Sequence, residues 1–202
     1  MPIKAIICDV GGVLVRSGDT SRRKVWEDRF DLKPGGLSEL VYTIEPADRA
    51  TVGGVKSEVI WNDIARRFNL TREEAKMLQD DFYAGDILNQ DFYSFMKRLR
   101  VRYRTALLSN AWENARTIYT EQYQLGPLFD VMVISAEIGM QKPDRRIYTY
   151  TLDLIRARSE EVVFIDDVEE NCVAAEKVGI HAIPFTDATS VIAAMKKLFV
   201  SN

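Results

Sequence analysis

The sequence predicts an α/β protein: a doubly wound parallel sheet with an α-helical module inserted after its first strand. Three observations carry this. Short apolar runs occur without polar alternation, helical patterns lie between them, and residues 16–88 hold helical patterns alone.

The runs are AIIC (5–8), TALLSN (105–110), VMVIS (131–135), VVFIDD (162–167) and a weaker AIPF (182–185). Each is rich in Val, Ile and Leu and ends in polar or turn residues, the habit of strands buried on both faces of a parallel sheet. Helical patterns at 113–125, 144–157 and 169–179 separate them, the last closed by Gly179, the residue type best able to leave a helix in a left-handed conformation. Strands alternating with helices imply βαβ units, which gather ligands at the carboxyl ends of the strands.

Within 16–88, Thr20 or Ser21 is placed to cap a first helix. Val59, Ile60, Ile64 and Phe68 fall near helical spacing, and Thr71 with Glu74 opens a capping box. The chain therefore divides into a Rossmann-like core, residues 1–15 and 89–202, and a helical cap, residues 16–88, with hinges near 15–19 and 84–90. Trp26, Trp61, Phe82, Tyr83, Phe92, Tyr93 and Phe95 are expected to fill the cap and its hinge.

Composition narrows the function. With 202 residues, 47% of them hydrophobic and 28% charged, the chain has globular make-up. A formal charge of −3 gives no case for a nucleic-acid surface. The basic stretch RLRVRYR (98–104) reads as a solvated helix end leading into a strand. Cys8 and Cys172 lie in apolar segments without metal-ligand spacing, as reduced core residues would. No apolar run approaches the roughly 18 residues that span a bilayer, so the expectation is a cytoplasmic protein with no membrane partner. Oligomeric state has no signature in the sequence.

The chemistry lies at the ends of the predicted strands. Asp9 ends the first, Ser109 and Asn110 the second, and Asp166 and Asp167 end VVFI, while Lys142 sits in the loop GMQKPD. Parallel neighbours would bring these groups to one edge. Asp9 and Asp166 suit Mg²⁺, a hard cation bound by one or two carboxylates, waters and a substrate phosphate. A cation and Lys142 would keep Asp9 ionised, able to attack phosphorus. Lys142 and the Ser109 hydroxyl would hold the charge that develops.

These four motifs, ICDVGGVLV, ALLSN, the Lys of GMQKPDRRIY and FIDDVEEN, resemble those of the haloacid dehalogenase-like (HAD) hydrolase superfamily. The likeness runs over nearly the whole chain, the inserted cap included. It implies that Asp9 is the nucleophile and a Mg²⁺ ligand, that the Gly11 carbonyl and Asp166 are further ligands, and that Asp167 supports the metal. It also implies that Ser109 and Lys142 bind the phosphoryl group and that Asn110 shapes the substrate site. Arg49 and residues 50–58 match the part of the cap that approaches the active site, and the closed cap implies a small phosphorylated substrate.

Gly11 departs from the pattern. Most phosphatases of the superfamily carry a second aspartate there as general acid, and its loss should cost on the order of 10²–10⁴ in rate. The reading preferred is a phosphatase with a good leaving group, or with a proton from water or from Asp19; its first motif is similar to that of the glycine-bearing subgroup that includes sugar-1-phosphate phosphatases. Two alternatives stand beside it. One is a 2-haloacid dehalogenase, which needs no general acid but generally lacks paired aspartates. The other is a catalytically weak binding or regulatory member. Asn171 is expected to support its loop, and His181 to begin a strand without catalytic duty.

Overall fold

A computed structural model describes residues 2–200; the outer limits expected for the core, residue 1 and residues 201–202, lie outside the described residues. Five strands form a parallel sheet: β1 (Ala5–Cys8), β4 (Arg104–Ser109), β5 (Val131–Ile134), β6 (Val162–Asp166) and β7 (His181–Pro184). Their order is β5-β4-β1-β6-β7, with β1 central between β4 and β6. Cys8 pairs with Leu107 on one side and Ile165 on the other, so Asp9, Ser109 and Asp166 come out at the same edge.

The unalternated runs are explained by the two apolar layers. Ile6, Cys8, Leu107, Val163 and Ile165 face one cluster with Phe92, Phe95 and Met96 of α6 (Gln90–Leu99) and Met195 of α11 (Ala188–Val200). Ala5, Ile7, Leu108 and Phe164 face the other, with Ile147 and Tyr148 of α9 (Arg145–Ile155) and Ala175 of α10 (Glu169–Lys177). Both faces of the central strands are dry, so neither needs polar residues. Gly179 adopts φ +90° beyond the end of α10.

Five helices precede α6: α1 (Ser21–Arg29), α2 (Gly36–Thr43), α3 (Glu45–Thr51), α4 (Glu58–Arg67) and α5 (Arg72–Tyr83). They enclose a separate cluster of Trp26, Leu37, Val41, Ile60, Trp61, Ile64, Leu78 and Phe82. The Thr71–Glu74 capping box starts α5. At α1 neither expected cap forms: the Thr20 side chain makes no capping bond, and the Asp19 carboxylate accepts the Ser21 N–H at 2.9 Å instead.

Two further elements differ from the sequence reading. Val15–Ser17 (β2) and Asp86–Leu88 (β3) form an antiparallel ribbon where the chain enters and leaves the helical module. Three-residue strands are too short to show periodicity. The helix expected over 113–125 is only Ala115–Thr117 (α7), continuing as a π-helical turn over Ile118–Gln122. A four-residue helix, α8 (Ser135–Ile138), follows β5.

Candidate active site

Asp9 follows the central strand, anchored by its N–H to the Ile165 carbonyl at 2.9 Å. The chain then turns back on itself: Leu14 and Val15 both donate to the Val10 carbonyl, at 2.9 and 2.8 Å, and Gly12 donates to Val15 at 2.8 Å. The two glycines of this turn are not equivalent. Gly12 has φ +71°, and a Cβ there would overlap the Asp167 carboxylate at 2.0 Å. Gly11 has open space where a Cβ would stand. Gly12 is thus demanded by backbone and neighbour, whereas Gly11 is a position where a side chain would fit and none is present.

Lys142 is the centre of the cluster. Its Nζ donates to Asp166 Oδ2 at 2.6 Å and contacts Asp9 Oδ2 at 3.0 Å, with all three residues buried. The loop carrying it is clamped by Asn110, whose Nδ2 donates to the Lys142 carbonyl and whose Oδ1 accepts the Lys142 N–H, both at 2.8 Å. The Asn110 amide, expected to shape the substrate site, also places Lys142 through these two bonds. Asp166 is fixed through its other oxygen, which accepts from Val168 N at 2.8 Å and Asn171 Nδ2 at 3.0 Å. Asn171 therefore does more than support a loop: it aims the carboxylate.

Burial pushes the Asp9 carboxyl up to about 7, the nearby Lys142 opposing the rise and Asp166 adding to it. Burial alone would lower the Lys142 ammonium, but Asp9 and Asp166 overcome it and hold it above its ordinary value. Asp167 is also raised, by burial and then by Asp166. Three carboxylates around one ammonium leave an excess of negative charge when all are ionised, and hard oxygen donors with that excess suit a divalent cation. Asp9, Asp166 and Asp167 offer oxygens all within 4.8 Å of one another, so the donor set and spacing fit Mg²⁺.

Ser109, buried at the end of β4, exchanges a hydrogen bond with the Tyr119 hydroxyl at 3.0 Å. Sequence reasoning passed over Tyr119. The only signal was its place in a helical pattern after the second motif, and the π turn that carries it, a feature frequent at functional sites, has no sequence signature. Asp19, considered as a proton source, is exposed, and its hydrogen bonds from Ser21 lower its pKa, so it stays ionised. Arg49 is exposed on α3, facing Glu45 at 3.6 Å. His181 begins β7, exposed, with a ring nitrogen 3.1 Å from the Glu160 carbonyl.

The family model for haloacid dehalogenase-like hydrolases matches residues 3–179. The chain belongs to this family of hydrolases. Among curated relatives, the HAD-like chain is 31% identical over 100 residues to bifunctional epoxide hydrolase 2 of Rattus norvegicus, an alignment covering 48% of the chain but 18% of that enzyme. It is 28% identical over 114 residues to the phosphorylated carbohydrates phosphatase of Thermotoga maritima, covering 55% of the chain and 50% of the phosphatase. The HAD fold is matched by a HAD family enzyme of Bacteroides thetaiotaomicron, solved with magnesium and inorganic phosphate, at a TM-score of 0.72 and 20% identity over 90% of this chain and 93% of that one. Among the described residues of this HAD-like hydrolase no helix is long and apolar enough to cross a membrane.

Proposed function

We propose that the protein is a Mg²⁺-dependent phosphatase acting on a small phosphorylated metabolite through an aspartyl-phosphate. The observation that carries the reading is the Lys142 ammonium joining the buried carboxylates of Asp9 and Asp166 at the strand ends, with Ser109 at the end of the neighbouring strand β4. Asp9, Asp166 and Asp167, with the Gly11 carbonyl, would hold the cation, which when bound neutralises phosphoryl charge.

The remaining work falls to side chains. An oxygen of Asp9 attacks phosphorus, and the bond from phosphorus to the leaving oxygen breaks as the new one forms. Lys142 and Ser109 hold the phosphoryl oxygens through the charge build-up. With no acid at Gly11, the leaving oxygen takes its proton from water, which favours acyl or anomeric phosphates whose leaving groups need little help. Water then attacks the aspartyl-phosphate and releases phosphate and the Asp9 carboxylate. Residues 16–88 serve as the cap that admits substrate and excludes bulk water. The setting is cytoplasmic, in keeping with the free thiols of Cys8 and Cys172.

Purified protein is expected to release phosphate from acyl and sugar phosphates with Mg²⁺ and to stop with EDTA. Failure across a panel of sugar, acyl and nucleotide phosphates defeats the proposal. Metal-independent chloride release from 2-chloropropionate would replace it with the dehalogenase reading.

A further inference from the structure

Ser109 and Tyr119 are a pair of hydroxyls with one hydrogen bond between them, Oγ to Oη 3.0 Å. Ser109 is 2% exposed at the end of β4, and neither hydroxyl bonds to any other described residue. Two hydroxyls carry two protons, and one bond uses only one of them. The direction of that bond therefore decides which residue keeps a proton to offer elsewhere.

The chain commits Tyr119 to this contact. After the short turn of α7 the backbone widens over Ile118–Gln122, with the Tyr123 N–H reaching back five residues to the Ile118 carbonyl at 3.1 Å. The N–H of Leu125, itself fully buried, then closes on the Tyr119 carbonyl at 2.8 Å. Side chains pin both ends of the segment. Before it, Arg116 donates to the Met132 carbonyl at 3.0 Å and to the two Glu137 oxygens at 2.8 and 2.6 Å. Beyond it, the Tyr93 hydroxyl of α6 donates to the Gln124 carbonyl at 3.3 Å. The Tyr119 ring packs on the apolar cluster that holds Cys8 and Leu107. Its hydroxyl is thus placed by backbone and packing, independently of the serine it meets.

Acidity fixes the direction. A phenol, with an ordinary pKa of about 10, is a far stronger acid than a serine hydroxyl. Burial raises the Tyr119 phenol well above that value, so it keeps its proton across the neutral range. As the better donor it gives that proton to Ser109 Oγ, which leaves the Ser109 O–H without an acceptor. β4 neighbours β1, so this free proton stands one strand away from Asp9. A phosphoryl oxygen arriving there has lone pairs to accept it, and a hydroxyl that already accepts through its oxygen is polarised toward donating.

We infer that Tyr119 is a positioning residue: it donates to Ser109 Oγ and so aims the serine proton at the phosphoryl oxygen. This rests on the phosphatase reading for the identity of the acceptor and adds what orients Ser109.

The test is a double-substitution cycle read by calorimetric binding of inorganic phosphate, with Mg²⁺ present, to full-length wild-type, Tyr119→Phe, Ser109→Ala and doubly substituted protein. Phe keeps the ring and removes only the hydroxyl. With Ser109 present, Tyr119→Phe is expected to weaken phosphate binding roughly 2–10-fold. In the Ser109→Ala background the same change should alter binding by less than about 2-fold, and kcat for acetyl phosphate should follow the same pattern. A loss of equal size in both backgrounds assigns Tyr119 to packing and overturns the inference, as does no loss in either. Ser109→Gly supplies the second background if the alanine variant folds poorly. Wild-type protein that binds phosphate with this coupling yet hydrolyses no phosphate compound defeats the phosphatase reading alone. Hydrolysis of acetyl phosphate without the coupling defeats the inference alone, and wild-type protein that neither binds nor releases phosphate defeats both.

Discussion

The strand ends and the helical module solve opposite problems. At the strand ends, ionisable groups are buried and held by hydrogen bonds: Asp9 and Asp166 sit at the ends of the central strands, Lys142 lies in a loop beside them, and Asn110 and Asn171 fix the aim of Lys142 and Asp166. The module keeps an apolar interior of its own, centred on Trp61 and Phe82, and Trp112 from the loop after β4 enters it. It is also tied to the rest of the molecule by the β2–β3 ribbon, by the close approach of Gly53 to the Ala136 carbonyl, and by Glu113, whose carboxylate accepts from Ser57 N at 3.1 Å and Ser57 Oγ at 3.0 Å. The difference teaches where precision is needed. Charge chemistry needs fixed geometry, whereas a module with an apolar core of its own can pack largely by itself.

Five experiments test that contrast, in order of expected effect. Asp9→Asn should abolish turnover, at least 10⁴-fold in kcat, while the circular dichroism spectrum survives; unchanged turnover would remove the strand ends from the chemistry. Lys142→Met leaves two buried carboxylates without their cation, so both activity and stability should fall, the latter by about 3–5 kcal/mol in denaturant unfolding. A loss of activity with no loss of stability would mean the frame does not depend on that ion pair.

Gly11→Asp asks whether the open space beside the turn is a usable acid position. Nothing obstructs a Cβ there, so the variant should fold, and turnover of simple alkyl phosphates should rise about 10–10²-fold more than turnover of acetyl phosphate. An equal effect on both would show that proton supply does not limit the enzyme. Glu113→Ala removes the tie to Ser57 and should raise KM roughly 2–5-fold with little change in unfolding, if the attachment governs closure more than folding.

The smallest effect concerns pH. The Asp9 carboxyl is raised from 3.8 to about 7, so the folded state disfavours its charged form. The resulting penalty is absent below pH 3.8, grows through the interval, and is complete above about 7. Without divalent cation, Asp9→Asn should therefore raise Tm by roughly a few degrees at pH 8, with the gain shrinking toward pH 4 and reversing when Mg²⁺ is added. A gain independent of pH would assign the effect to packing.

Much of this was legible before any coordinates. Runs such as AIIC and VVFIDD became strands because dry faces on both sides demand continuous apolar residues, and the sheet edge then collected Asp9, Ser109 and Asp166 by parallel register alone. The ribbon of Val15–Ser17 and Asp86–Leu88 was not legible, because its pairing joins residues about 70 positions apart in strands too short to carry a period. The capping role of Asp19 lost out to Thr20 and Ser21 for a related reason: which oxygen reaches the first free N–H depends on how the chain enters the helix.

By itself the sequence determined the strand runs, the helical insertion, the order of the four motifs and the departure at Gly11, since each is a local pattern of residue type. Only the tertiary structure decided that Gly12 is the glycine the turn requires, that Asn110 serves Lys142, and that Tyr119 reaches Ser109. These are contacts across chain separations or turns without a sequence signature, set by how the sheet edge and the module close around shared space.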